Sequence, residues 1–512
     1  MTGFLHSNNL IIGLGGTGGR VLREMRKHLF EDYGTIPPEV AFLYIDSSEE
    51  LIHQNDPSWM TKDGQDAQFN PCETLLLSPI PADSLSSSPE YYPALKEIAK
   101  NCRHMNYRGQ GAMQDRRLGR VLLGFHANKF SDLLNTQIHK LQANSAHEGD
   151  LNITLVTGLS GGTGSGTVVS VVSHILLQYP EAHVSIVAAL PCFPAPPMHD
   201  IGYYHANAYA ALRELNALNI AELELTDLVS GIRIKPTKNN SLARTGKLFS
   251  LFVFDNFFQE YDRISNILLH NLRLDDSNPS TQMYLRGIEM EAQHDPEYNA
   301  SKPEGEKQPA RTKAVGSLGF YQIALQQLIK YPHNYKEMTS TIRAALESAC
   351  NSISMNGIEV GKVVRNNFTP WENPAIKPFT TVLVNIPHPT SAEEEELFNQ
   401  LSEILLSLRG NNMNISFNYN YGNKDEIVIA SVTTNFPLRF LSSLPELKAR
   451  YDQLMSDDRR QAFCMLWTED SFVDLPSLEV EEIIEQPKSS TEEDDCSTDI
   501  FGFPLPPKTP SA

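Results

Sequence analysis

A chain of 512 residues, 41% hydrophobic and 20% charged, has the balance of a globular protein, and its length allows roughly two to four domains. Its formal net charge of −20 sets it against non-specific binding to DNA, RNA or an anionic membrane, each of which would repel it. The six cysteines (Cys72, Cys102, Cys192, Cys350, Cys464, Cys496) are scattered, with no C-x-x-C pair and no zinc spacing, and read as reduced intracellular thiols.

No charged segment followed by a long apolar stretch opens the chain, and no apolar run approaches the roughly 20 residues that span a bilayer. The expectation is a cytoplasmic protein with no direct membrane insertion and no nucleic-acid partner. The cluster Arg116, Arg117, Arg120 is one candidate for a local basic patch.

In chain order, Leu10–Ile12 predicts a short strand that breaks into a glycine loop, and Val21–Phe30 a helix. Val40–Ile45 is a buried-type strand ended by Asp46. Ile153–Val156 is a third strand, running through a second glycine loop into a helix over Thr167–Leu177, and Val184–Leu190 is a fourth. Strands alternating with helices predict a parallel α/β sheet covered on both faces. Asp56–Pro93, rich in Pro, Ser and Asp, reads as a loop, and 275–309 as a polar insertion.

Beyond it, Ala314–Leu325, Thr380–Ile386, Met413–Tyr419 and Glu426–Thr433 predict strands. Tyr335–Ser348 and Ala392–Leu408 predict helices, the latter with Leu397, Leu401, Ile404, Leu405 and Leu408 on one face. Nine acids and one lysine between Glu479 and Asp499 leave nothing to build a core from, so a disordered tail is expected.

Two segments carry chemistry. Ser160-Gly161-Gly162-Thr163-Gly164-Ser165-Gly166 lies between a strand and a helix, with four glycines in seven positions. Such a loop lets backbone approach a ligand, and the N–H groups and dipole of the helix it opens favour an anion. Thr163 and Ser165 add hydroxyls. The first loop, Gly13-Leu14-Gly15-Gly16-Thr17-Gly18-Gly19, puts Gly13, Gly15 and Gly18 at G-x-G-x-x-G spacing, and Asp46 ends the next strand where a ribose-binding acid would sit. This pattern alone fits an NAD(P)-dependent Rossmann oxidoreductase. A Rossmann domain needs one phosphate loop, however, and this chain has two. Neither ends in the Lys-Ser/Thr of a Walker A site.

The segment Ser160–Gly166 resembles the glycine signature of the tubulin/FtsZ superfamily, with Ser160 in place of its first glycine. The loop Gly13–Gly19 resembles that family's first phosphate loop, Phe42–Ser48 its second strand and acidic loop, and Gly109-Gln110-Gly111-Ala112 its γ-phosphate-sensing loop. Val382–Ile386 and Ile427–Phe436 resemble its C-terminal domain. Asp115, Arg116, Arg117, Gly119 and Arg120 depart from the family's usual pattern, so the resemblance is to a divergent bacterial tubulin-like branch.

The resemblance implies a Rossmann-like parallel-sheet GTP-binding domain (1–206), a central helix (207–230), a smaller α+β domain (231–474) and a disordered acidic tail (475–512). It implies GTP, with Mg2+, as the ligand, and Gly13, Gly15, Gly16, Thr17, Gly18, Asp46, Gly109, Gly111 and Ser160 to Gly166 as the cradle. A guanine-reading Asn is implied near the start of a central helix expected over Asn207–Leu225. Asn207 is the first candidate and Asn216 another, with Tyr203 or Tyr209 for stacking. Hydrolysis would use acids after that helix, Asp255, Glu260 and Asp262, presented from the opposite end of the subunit to the next copy. The partner is then the chain itself in a head-to-tail filament. The tip Asp499–Leu505, apolar against an acidic background, weakly resembles a partner-binding tail peptide. A non-polymerising GTP-binding switch and the NAD(P) oxidoreductase stand as alternatives. Gly162→Val or Gly164→Val is expected to abolish nucleotide binding while the fold largely survives.

Overall fold

The apolar runs of the first half become strands of one parallel sheet. In the computed structural model the described residues are 5, 7–50, 56–77, 111–144, 151–192, 203–219, 223–235, 249–255, 261–272, 320–330, 362–366, 380–387, 399, 413–420, 426–433, 438–456 and 478–482. Strands β1 (Asn8–Leu14), β2 (Val40–Asp46) and β3 (Thr74–Leu76) are followed by β4 (Leu151–Gly158), β5 (His183–Leu190), β6 (Leu225–Thr226), β7 (Arg233–Ile234) and β8 (Ser250–Asp255). Helices α1 (Gly15–Tyr33), α2 (Arg116–Phe125), α3 (Ala127–Asn144), α4 (Thr163–Gln178), α5 (Tyr204–Asn219) and α6 (Tyr261–Leu272) lie between and after them. The order β3-β2-β1-β4-β5-β8 is parallel throughout. It is the doubly wound order, and it reverses between β1 and β4.

Every residue of β1 and β2 is buried, as a sheet covered on both faces requires. Leu10, Ile12 and Leu14 face a core completed by α3, α4 and α5, with Phe130, Leu134, Val171 and Leu212. Ile11 and Phe42 face Val21, Leu22, Met25 and Leu29 of α1 and Ile264 and Leu268 of α6. Helix α1 stops at Gly34, whose φ of 69° lets its N–H return to Phe30 O.

The segment expected as loop over Asp56–Pro93 is ordered from residue 56 to 77. It carries 3-10 turns at Pro57–Trp59 and Pro71–Glu73 and then β3 at the sheet edge. Arg26 of α1 pins it: the buried guanidinium donates to Ala67 O and Gln68 O, each at 2.8 Å, and pairs with Glu73 at 3.1 Å. Phe69 stacks on Tyr44, with centroids 5.5 Å apart, and meets the edge of Trp59 at 4.9 Å.

The expected central helix is shorter and plays a different part. It spans Tyr204–Asn219, and Leu225 lies in β6. It leads from β5 to β8, its neighbour in the sheet, so it is a crossover between parallel strands. Linear order could not distinguish a crossover from an exit helix. The sheet therefore continues past residue 206 to Asp255, and its carboxyl edge includes Asp255.

Past β8 the sheet runs on through β9 (Phe320–Lys330), β10 (Lys362–Asn366) forming a separate pair, β11 (Thr380–Pro387), β12 (Met413–Asn420) and β13 (Glu426–Thr433). The order after β8 is β9-β13-β11-β12, with β8–β9 and β11–β12 parallel and the other two pairs antiparallel. The strands predicted at Thr380–Ile386, Met413–Tyr419 and Glu426–Thr433 are present; of Ala314–Leu325, residues 320–325 lie in β9 and 314–319 lie outside the described residues. The helices expected at 335–348 and, apart from residue 399, at 392–408, and the insertion 275–309, lie outside the described residues.

Helix α7 (Leu438–Ser456), which the sequence reading passed over, packs on α5. The Tyr451 ring sits 5.4 Å from Tyr209 and beneath the Arg213 guanidinium at 5.6 Å, and Arg450 Nη1 meets His205 Nδ1 at 3.1 Å. Part of the expected disordered tail is a strand, β14 (Leu478–Glu482), paired antiparallel with β10. The register sets Glu482 opposite Lys362 and Glu479 opposite Arg365, opposite charges at paired positions. The remainder of 475–512 lies outside the described residues. Among the described residues no helix is long and apolar enough to cross a membrane.

Candidate functional site

The winding reverses between β1 and β4, and sheets of this kind bind ligands outside the carboxyl ends of the strands at such a point. Both glycine segments are there. Each is also the first turn of a helix: α1 starts at Gly15 and α4 at Thr163, earlier than the sequence suggested. Gly15 has φ +68°, which turns the chain straight from strand to helix.

Most of these glycines are spent on protein contacts. A Cβ on Gly15 would stand 2.9 Å from Gly164 N, so the two loops touch backbone to backbone. One on Gly18 would strike Val156 O at 2.3 Å, and one on Gly13 would meet Leu22 Cδ2 at 2.9 Å. Gly164 is hemmed by Thr157 Oγ1, Gly158 O and Leu14 O at 2.6, 2.9 and 3.0 Å. Gly162 is hemmed by Asp115 N and Ala112, and Gly166 by Arg116 O at 2.3 Å. Two positions differ. Gly161 is exposed and a Cβ there would meet nothing within 4 Å; Gly16 would meet just the flexible end of Arg20, at 3.7 Å. The open surface is therefore at Gly16–Thr17 and Gly161, and the other glycines let three backbone segments pack against one another.

Side chains lock the arrangement. Ser47, after β2, shares a hydrogen bond with Thr163 at 2.6 Å and accepts from Ala112 N at 2.8 Å, joining the second, third and signature segments. Gly111 turns that third segment with φ +84°. Gly109 lies outside the described residues. Ser165 Oγ donates to Gly161 O, and Thr167 Oγ1 to Thr163 O at 2.8 Å, closing the first turn of α4 on itself.

Asp46 is buried, accepting from Tyr44 Oη and Ser47 N at 2.7 Å each, and burial raises its carboxyl pKa. Asn207 is fully buried. Its amide nitrogen donates to Gln114 O at 2.7 Å and Ser160 O at 3.1 Å, so it braces the third segment against the signature loop.

The arginine cluster is not a surface patch. Arg116, Arg117 and Arg120 are all buried on α2. Arg116 pairs with Glu214 of α5 at 2.7 Å and donates to Ser165 O at 3.0 Å. Burial pulls Arg120 down to about 9.

The three acids expected at one far end are separated. Asp255 ends β8 in register with Leu190, at the same edge as the glycine loops. It is two strands from β4, or about 10 Å at the usual strand spacing. Asp262 is exposed on α6 and bonded to His28 of α1 at 2.7 Å, a bond that lowers the carboxyl pKa and raises that of the imidazole. His28 lies 13 residues along α1 from Gly15, or about 20 Å from the loops. Glu260 lies outside the described residues. Asp255 does not lie at the opposite end because α5 is a crossover and β8, parallel to β5, then carries the chain back to the loop edge.

Sequence reasoning missed Asp115, whose position just before α2 was a readable N-cap signal. Its Oδ1 accepts from Leu118 N at 3.0 Å, and burial pushes the carboxyl up to about 7. The folded protein thus holds a proton that the unfolded chain releases near 3.8, so stability falls as pH rises from about 4 to 7. Asp115→Asn keeps a capping acceptor and removes the buried charge. Urea midpoints should show the variant more stable than the parent at pH 8, by on the order of 1 kcal/mol or more, with the gap closing toward pH 5. A variant less stable at pH 8 would contradict this account of the cap.

A family model described as "Tubulin like" matches residues 10–248. No curated protein sequence matches the chain. Similar solved structures include the GTPγS-bound protofilament of CetZ2 from Haloferax volcanii, 13% identical, covering 87% of this chain and 99% of that one, with a TM-score of 0.44. CetZ from Methanosaeta thermophila is 13% identical over 89% and 94%, with a TM-score of 0.44. The GTPγS-form protofilament of Bacillus thuringiensis serovar israelensis TubZ is 12% identical over 89% and 94%, with a TM-score of 0.41.

Proposed function

As this chain belongs to the tubulin-like superfamily, we propose that it binds GTP outside the carboxyl ends of β1 and β4 and, when loaded, assembles head to tail with further copies of itself. The observation that carries the reading is the pair of open glycines, Gly16 and Gly161, at the starts of two helices whose loops touch through Gly15 and Gly164. Helix starts offer free N–H groups and the positive end of the dipole to phosphate oxygens from two sides. A dinucleotide-binding domain uses one such loop, so the second favours a triphosphate over NAD(P).

Ser47 and Thr163 hold the second and signature segments together behind the phosphates, and Gly111–Ala112 closes the third side. Asn207 acts here as a brace for the loops, with its amide nitrogen already committed to two carbonyls. Mg2+ would be held mainly by the phosphates, as is usual for this ion. Of the three acids, Asp255 keeps the candidacy for activating water, since it ends its strand at the loop edge.

Equilibrium binding tests the ligand. GTP and GDP should bind at least about tenfold more tightly than ATP, a difference of ~1.4 kcal/mol, and NAD(P) should not compete. Equal affinities for GTP and ATP, or displacement by NAD(P), would reject the assignment.

A further inference from the structure

We propose that the β6–β7 hairpin forms one half of the contact between successive copies of this chain, seated against the rim of the nucleotide site of the next copy. The inference rests on the head-to-tail reading above and names the surface that would make it.

Five large hydrophobic side chains are conspicuously exposed among the described residues, and three of them, Val229, Ile232 and Ile234, lie in or beside this hairpin. Arg233 and Lys235 alternate with them and are exposed as well. An apolar cluster with basic flanks is unusual on a chain whose net charge is −20, and clustered exposed apolar side chains mark an interaction surface.

The hairpin is held firmly, so it can act as a docking element. Ser173 Oγ donates to Thr226 O at 3.2 Å, Gln178 Nε2 donates to Asp227 Oδ2 at 2.6 Å, and His174 lies 3.1 Å from the same carboxylate. Asp227 in turn caps the turn, accepting from Ser230 N at 2.7 Å. Gln178 is the last residue of α4, which begins at Thr163 in the nucleotide site. The two are fifteen positions apart along the helix, or about 22 Å, so the hairpin stands at the end of the subunit away from the glycine loops.

The complementary features are at the other end. Met113 is 46% exposed in the third segment, where Met113 and Gln114 both hold left-handed backbone, with φ of 44° and 60°. Non-glycine residues in that region carry strain of order 1 kcal/mol and concentrate at functional surfaces. Glu49, just past Ser47, is an exposed acid on the same rim, and Glu50 beside it is paired with Arg20 at 2.8 Å. One end thus offers an apolar side chain near the exposed acid Glu49, and the other an apolar cluster among bases. Two different complementary faces at opposite ends make a heterologous contact, which repeats into an open filament.

The test uses the full chain with GTPγS. Parent protein should pellet. Ile232→Asp should lose at least tenfold in pelletable polymer, with GTP affinity unchanged because the hairpin is far from the loops. A chain carrying both Met113→Cys and Ile232→Cys should give a ladder of covalent oligomers with a short bismaleimide, and neither single variant should exceed the parent's background. Polymer that forms normally from Ile232→Asp, or parent-like pelleting of the double variant without a ladder, overturns the hairpin assignment and leaves head-to-tail assembly standing. Parent protein that binds GTPγS and stays in the supernatant at every concentration overturns both. If Ile232→Asp fails to fold, the ladder decides alone, since both of its positions are exposed.

Discussion

Gly164→Val should cost the nucleotide domain its stability, whereas Gly161→Ala should leave folding intact and lose the nucleotide. A side chain at position 164 would have to enter space held by Thr157 Oγ1, Gly158 O and Leu14 O, all within 3.0 Å of its Cβ. Two of those atoms are carbonyls at the ends of β4 and β1, which cannot rotate away. Overpacking of this kind costs about 1–3 kcal/mol, and rigid neighbours push it to the upper end or beyond. Gly161 has open space around its Cβ position, so alanine there should change stability by less than about 0.5 kcal/mol. The added methyl would stand where a phosphate is proposed to lie, and GTP affinity should fall at least about tenfold, or ~1.4 kcal/mol. Urea midpoints and equilibrium binding on the same samples separate the two effects. This reverses the expectation from sequence, in which Gly164→Val abolishes nucleotide binding while the fold largely survives.

Glu214→Ala should destabilise the protein by about 3–5 kcal/mol, because it strands the Arg116 guanidinium without its carboxylate partner. Arg116 is wholly buried and Glu214 nearly so, and Arg116 reaches on to Ser165 O in the signature loop. Nucleotide affinity should drop with stability, since the loop loses an anchor. Replacing both partners, as Arg116→Met with Glu214→Leu, should recover most of the lost stability, because two apolar side chains leave no buried charge uncompensated. Urea midpoints at constant slope would show it. A double variant as unstable as Glu214→Ala would mean that Arg116 is held mainly by its other partners.

These two results bear on what the sequence could and could not disclose. Strands β1, β2, β4 and β5 were legible because a sheet covered on both faces needs unbroken apolar runs, which Leu10–Ile12 and Val40–Ile45 supply. The two glycine segments were legible as a site, but their inner division was not. A glycine that meets a ligand and one that meets another strand's carbonyl look the same in sequence, and Gly164 and Gly161 separate only when Thr157 and Leu14 are in place around one of them. The arginines of α2 suggested a basic surface because nothing local announces Glu214, 98 residues away. Helix α7 went unread because Pro445 inside it signals a helix end. The part played by the helix after β5 was not legible for a topological reason. Tyr204–Asn219 has the spacing of any amphipathic helix, and only the pairing of β8 with β5 makes it a crossover.

The central claim is that a GTP-type triphosphate sits against the starts of α1 and α4, and hydrogen exchange with and without GTPγS addresses it most directly. At saturating ligand the amides of Gly15–Gly18, Gly111–Ala112 and Gly161–Ser165 should slow together, while those of the β6–β7 hairpin should be unchanged at concentrations too low for assembly. Slowing at one loop alone, or protection confined to another part of the sheet, would contradict a site built from both glycine loops.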